Sequence, residues 1–232
     1  MSKARQKIYF VVFWVLLIAS FLFFAVLLVL VANGYHLNAT NFKLEKTAMI
    51  VLDGAPGGVT VVTNGNAKVV NFPYKMPNLL PGRYEVTIKK ENYQSWSKVY
   101  FLNGGQAATD ANVFLFLDES IINKKNEDSS MIAQIQSQYK RASSDIAISG
   151  DEILYQGQLV TRFSSPVLAA ALDTRTQYVI VQINNEIRTI ALDGSNDNLL
   201  IKLTSNNPTS FYANGAILYY IDQGKAMSAQ IR

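Results

Sequence analysis

At 232 residues the chain has room for a membrane segment and one or two folded units, since domains commonly run to about 100–150 residues, so one large globule is not required. It contains no cysteine, which excludes disulfides, a thiolate nucleophile and a thiolate metal site. The isoelectric point of about 9.1 invites a nucleic-acid partner. Three of the 21 Lys+Arg precede the first apolar block, however, and the 18 that remain face 17 Asp+Glu, a near-neutral body with no electrostatic footprint for polyphosphate.

Residues 1–7 form a short basic tail, with Lys3, Arg5 and Lys7 and no acid. The block from Ile8 to Ala32 follows, its only polar side-chain groups being the Tyr9 and Ser20 hydroxyls and the Trp14 indole N–H. As a helix of about 25 residues it would be roughly 37 Å long, enough to span the roughly 30 Å hydrocarbon core of a bilayer with modest tilt. Positive charge ahead of it predicts an amino end in the cytoplasm and the rest of the chain outside. A cleaved signal peptide would have an apolar run of only about 7–15 residues and an A-x-A-like site. The run is too long and Ala32 has no small residue two places earlier, so residues 8–32 are expected to stay as a bilayer anchor. No small-xxx-small pattern supports self-association through the span. The tail is too short for a signalling output domain.

Residues 33–46 are polar and predict a stalk, with His36, the single histidine, beside Tyr35 at headgroup level. Asn38-Ala39-Thr40 fits an N-glycosylation acceptor, a match that arises easily by chance. Strand signals then come in succession. "MIVLD" (Met49 to Asp53) precedes the loop "GAPGG", and "VTVVT" (Val59 to Thr63) and "AKVVNF" (Ala67 to Phe72) flank Asn64-Gly65-Asn66. An Asn-Gly pair between β-branched runs predicts an antiparallel hairpin, because both residues tolerate the positive φ of a type I′ turn. Pro81-Gly82 predicts a reversal, after which Tyr84, Val86 and Ile88 share one strand face and Glu85, Thr87 and Lys89 the other. "SWSKVYFL" (Ser95 to Leu102) and "NVFLFL" (Asn112 to Leu117) complete a small antiparallel sandwich.

Residues 47–117 resemble the PEGA domain, a small β-sandwich module of surface-exposed and envelope-associated bacterial and archaeal proteins. The likeness rests on "MIVLD", the Pro56-Gly57-Gly58 loop, "VTVVTNGN", "LLPGRYEVTIKKENY" and the closing strand to Leu117. It departs from the family at the Pro-Glu-Gly-Ala signature, where Gly57-Gly58-Val59 follow Pro56, and at Asn92, which stands where the family has glycine and can take left-handed φ. The resemblance implies a non-catalytic module and transfers no functional residue.

Residues 118–144 read as a polar linker and a short helix, in which Met131, Ile132, Ile135 and Tyr139 fall at helical spacing. Asp128 or Ser129 would cap it, Lys140-Arg141 suit its C-terminal end, and its apolar stripe is expected to pack on a neighbouring sheet. Residues 145–232 return to strands: "EILYQ", "QYVIVQ" and "AILYYI" each follow a polar corner, and Tyr178 and Ile217 begin equivalent runs about 39 residues apart. That is near the roughly 40-residue period of propeller blades, and "IRTIALDGSNDNLLIKLT" (Ile187 to Thr204) resembles a TolB-like blade. Two and a half blades at most fit where closure normally takes 4–8. The region is therefore either a shortened propeller or a complete open sheet that buries its edges on the helix, the sandwich or a partner.

The whole chain is thus expected to be mainly β: a transmembrane helix, a PEGA-like sandwich, one short helix and an incomplete propeller-like antiparallel sheet. Candidate chemistry is sparse, and no catalytic, cofactor-binding or metal-binding residue is assigned. Ser95 and Lys98 match S-x-x-K but would face opposite sides of a strand. Ser137 and Lys140 share a helix face but lack the companion S-D-N and K-T-G motifs. "DGAPGG" and "NGGQ" read as turns, without the Lys-Ser/Thr of a P-loop. Asp193 to Asn198 offers oxygen ligands without the spacing or terminal glutamate of an EF-hand, and Asp151-Glu152 point apart on a strand. Tyr93, Trp96 and Tyr100 are expected in the core. These readings converge on an anchored, extracytoplasmic binding or scaffold protein of the bacterial envelope with a protein or surface-polymer partner. The alternative is an accessory subunit or enzyme acting on cell-wall polymers.

Overall fold

The computed structural model describes residues 3–38, 42–124 and 129–232. The apolar block, free of interior glycine and proline, is a helix, α1 (Lys3–Ala32). From Tyr9 to Ala32 it is long and apolar enough to cross a membrane, and the protein buries none of it. Gly34 ends it with φ 79°, the left-handed conformation that lets the chain leave a helix, while Asn33 N–H and its side-chain amide both donate to Val29 O. The stretch expected as a plain stalk is a hairpin of β1 (Tyr35–Asn38) and β2 (Lys43–Lys46). Ala39 and Thr40 of the glycosylation match lie outside the described residues, as do Met1, Ser2 and Asp128.

Seven strands follow: β3 (Ala48–Ala55), β4 (Val59–Thr63), β5 (Asn66–Val70), β6 (Tyr74–Leu79), β7 (Gly82–Lys89), β8 (Trp96–Leu102) and β9 (Ala107–Phe114). They form two sheets, ordered β6-β3-β9 and β5-β4-β7-β8. Asn64 (φ 47°) and Gly65 (φ 85°) make the turn between β4 and β5, with Thr63 opposite Asn66, as the Asn-Gly pair dictates. The Pro81-Gly82 corner hands the chain from the first sheet to the second. On β7, Val86 and Ile88 are buried and Tyr84 half-buried, while Glu85 and Lys89 face water. Asn92 takes φ 65°, and Tyr93 bridges Leu117.

The stretch expected as linker contributes a strand, β10 (Ile121–Lys124), before α2 (Ser129–Ala142). Three antiparallel meanders follow. The first is β11 (Ile146–Ser149), β12 (Glu152–Tyr155) and β13 (Gln158–Arg162); the second is β14 (Val167–Asp173), β15 (Tyr178–Ile183), β16 (Glu186–Ala191) and β17 (Asn198–Lys202). The third is β18 (Phe211–Asn214), β19 (Ile217–Asp222) and β20 (Lys225–Gln230), with β10 added beside β20. "EILY", "YVIVQI" and "ILYYID" are the second strands of the three. None of these sheets closes into a barrel among the described residues.

The second meander is buried on both sides because side chains alternate along a strand. Ala169, Ala171, Tyr178 and Ile180 join Phe211, Leu218 and Tyr220 of the third meander. Ala170, Leu172, Val179 and Val181 join Ile153 and Val160 of the first. This explains the near-unbroken apolar runs "VLAAAL" and "YVIV". Helix α2 covers the third meander, with Ile135 fully buried and Tyr139 edge-on to Phe211 at 5.5 Å.

By contact density the chain divides into two units. One comprises Met1–Val51, Lys75–Tyr84 and Tyr100–Thr109; the other comprises Leu52–Tyr74, Glu85–Val99 and Asp110–Arg232.

Candidate functional site

Within the second unit, the start of β8 docks on the turn between β16 and β17. Gln94 Nε2 donates to Leu117 O and Leu199 O, Ser97 N donates to Asn196 Oδ1, and Ser120 Oγ donates to Leu200 O. This contact frames a cleft of about 230 Å³ lined by Trp96, Lys98, Asp110, Tyr178, Asp193 and Ser195, among others. Lys98 Nζ lies 3.1 Å from Asp110 Oδ2 and 2.8 Å from Asp193 Oδ2. Asp193 Oδ1 accepts from Ser195 N and Ser195 Oγ.

Burial pulls the Lys98 ammonium down, but hydrogen bonding to Asp193 and the Asp110 charge outweigh it and leave the group above its ordinary range. Burial likewise pushes Asp193 up, and the Lys98 and Ser195 donors outweigh it, so its carboxyl sits below the usual range. Tyr178 is pushed up to about 12 by burial, against the opposing hydrogen bond from Trp96. At neutral pH Lys98 and Asp193 therefore face each other as ammonium and carboxylate, beside the neutral phenol of Tyr178. Such a constellation fixes geometry and presents hydrogen-bonding groups to the cleft.

A second cleft, of about 280 Å³, is lined by Ala55, Pro56, Phe114, Arg175, Gly215, Ala216 and Arg232. Arg232 is one of the least exposed cations described. Its guanidinium lies 3.2 Å from Asp173 Oδ2, donates to Gly215 O, and sits 5.6 Å from the centres of both the Phe114 and Phe116 rings. Burial lowers it from its ordinary range and Asp173 opposes that. Arg175 is exposed at the rim. An apolar wall with a guanidinium at its edge suits a ligand with an apolar body and an anionic or carbonyl end.

The residues singled out from sequence are dispersed. His36 on β1 stands opposite Glu45. Ser95 precedes β8, and Lys98 is committed to its two carboxylates. Ser137 and Lys140 are exposed on α2 and line neither cleft. In "DGAPGG", Gly57 O accepts from Lys90 Nζ and Gly58 N donates to Asn71 Oδ1; in "NGGQ", Asn103 N donates to Gln106 Oε1. Of the oxygens in Asp193 to Asn198, Asp193 is taken by Lys98 and Asp197 by Arg188 at 2.8 Å. Glu152 pairs with Arg162, so the Asp151-Glu152 doublet is split. Trp96 and Tyr100 are core, while Tyr93 lies beside Lys90. Sequence reasoning did not find Asp110, Asp173, Arg175 or Arg232. Of these Asp173 alone carries a local signal, closing the apolar run "AALD" before Thr174.

What fold and clefts define together is a class: a mainly β chain behind an N-terminal apolar helix, with ion-paired clefts in its larger unit. Neither a scan against protein-family models nor a comparison with curated proteins returns a match.

Proposed function

We propose that the chain is a single-pass membrane protein of the bacterial cell envelope whose β body lies outside the membrane. In this reading it acts as a non-catalytic binding or scaffold module, contacting a protein or a surface polymer. The observation that carries it is the unburied apolar helix Tyr9–Ala32 joined to a β body whose cleft charges, Lys98, Asp110, Asp193, Asp173 and Arg232, are engaged with one another. The PEGA-like segments between residues 47 and 117 and the successive meanders of residues 145–232, read as an incomplete propeller-like sheet with its TolB-like stretch at Ile187 to Thr204, agree with a module that presents surfaces. Exposed apolar side chains on the strands, Val69 and Phe101 foremost, offer contact area that the fold itself leaves unused.

Photo-crosslinking amino acids placed at Arg175 and at Phe101 in native membranes test this reading. The expected result is a reproducible adduct with one and the same envelope component from at least one of the two positions. Random adducts with abundant proteins from both would count against a scaffold.

A further inference from the structure

The hairpin that leaves the apolar helix has two different faces. Its register pairs Tyr35 with Lys46, His36 with Glu45, Leu37 with Leu44 and Asn38 with Lys43. Since alternate residues point to opposite sides, Leu37 and Leu44 lie cross-strand on one face, with Tyr35 and the long, amphipathic Lys46 beside them at the helix end, and His36, Asn38, Lys43 and Glu45 occupy the other. The apolar pair is left open, Leu37 at 61% and Leu44 at 47% exposure, and Phe42, next to the hairpin tip, is 80% exposed. Phe42 also adopts φ 55°, a conformation that bulky residues rarely take, so neither burial within the chain nor backbone preference accounts for an aromatic there. An isolated two-stranded hairpin is marginal in water, and this one shows its greasy face.

What covers that face follows from where the hairpin is fastened. Gly34 O accepts from both Thr47 N, at 2.8 Å, and Thr47 Oγ1, at 2.9 Å, so the far end of β2 is bonded back to the residue that terminates the helix. The hairpin is tied at both ends to the point where the helix emerges. With residues 8–32 spanning about 37 Å against a core of roughly 30 Å, that point falls at the outer headgroup level.

We infer that the β1–β2 hairpin is a membrane foot: Leu37, Phe42 and Leu44 rest in the outer interfacial layer of the bilayer that holds α1, with the His36 face toward water. This rests on the anchor reading and adds to it that the chain touches the bilayer at a second place, the hairpin beside the helix exit, where a plain stalk would stay in water. Aromatic and aliphatic side chains at this depth are the ordinary means of such seating.

The cysteine-free chain allows a direct test. Single variants Leu37→Cys, Phe42→Cys, Leu44→Cys, His36→Cys, Val69→Cys and Ser20→Cys of the full chain are spin-labelled. Each is reconstituted into vesicles of phosphatidylethanolamine and phosphatidylglycerol, and collision rates with oxygen and with a water-soluble nickel complex are compared. Labels at 37, 42 and 44 are expected to meet the nickel complex several-fold less often than labels at 36 and 69, and oxygen more often. If 37, 42 and 44 are as open to nickel as 69 while 20 is shielded, the foot is wrong and the anchor stands. If the label at 20 is itself open to nickel, the anchor fails and the foot with it.

Discussion

Asp173→Ala is expected to cost the folded body about 3–5 kcal/mol, the usual penalty for removing one partner of a buried ion pair and leaving the other uncompensated. The Asp173 side chain is only 7% exposed and that of Arg232 10%. Asp173 also takes Arg175 N on Oδ1 and Thr176 Oγ1 on Oδ2, so truncation strands a hydroxyl and an amide as well as a guanidinium. Phe114 and Phe116 lie within cation–π range of that guanidinium but cannot replace a carboxylate. Adding Arg232→Ala to the first change is expected to recover part of the loss, because the stranded charge then disappears. Denaturant unfolding of the four proteins in detergent, followed by tryptophan fluorescence, reads the cycle; strictly additive losses would show that the pair is not coupled.

Gly54→Ala is expected to be the costliest of the glycine substitutions. A β-carbon at that position would stand 1.8 Å from Val113 O and 2.6 Å from Val113 C, inside the neighbouring strand's backbone. Val113 is fully buried, so β9 cannot yield without disturbing the core, and about 3 kcal/mol, the upper part of the ordinary overpacking range, is the expected loss. Gly65→Ala provides the contrast. It meets no atom within 4 Å, and only its φ of 85° opposes a side chain, a cost of about 1–2 kcal/mol. The midpoint of denaturant unfolding should therefore fall further for Gly54→Ala than for Gly65→Ala; the reverse order would refute the close approach of β3 and β9.

How much of this was readable in the residues depends on how local each signal is. The hairpin at Asn64-Gly65, helix α2 from Ser129 to Ala142 and the alternation of Tyr84, Val86 and Ile88 are decided by residues within a few positions of one another, and they stand where the pattern puts them. Strand β10 and the β1–β2 hairpin read as linker and stalk in the sequence because strands of four residues are too short for a periodic signature; β10 exists through its pairing with β20, more than a hundred positions away. The run "VLAAALD" carried no alternation because both of its faces are buried, so its strand character shows only in the layers beside it. The clefts were least legible. Lys98 and Asp193, or Asp173 and Arg232, are brought together by folding alone, and nothing in their spacing joins them.

The central claim is that Ile8 to Ala32 threads the bilayer once and leaves the β body on the outer side. Protease added to intact cells, paired with alkaline extraction of their membranes, tests it most directly. The account predicts that the full-length chain stays with alkali-washed membranes and that external protease digests the body while the cells remain sealed. A body spared until the cells are broken, or a chain released into the alkaline supernatant, would contradict it.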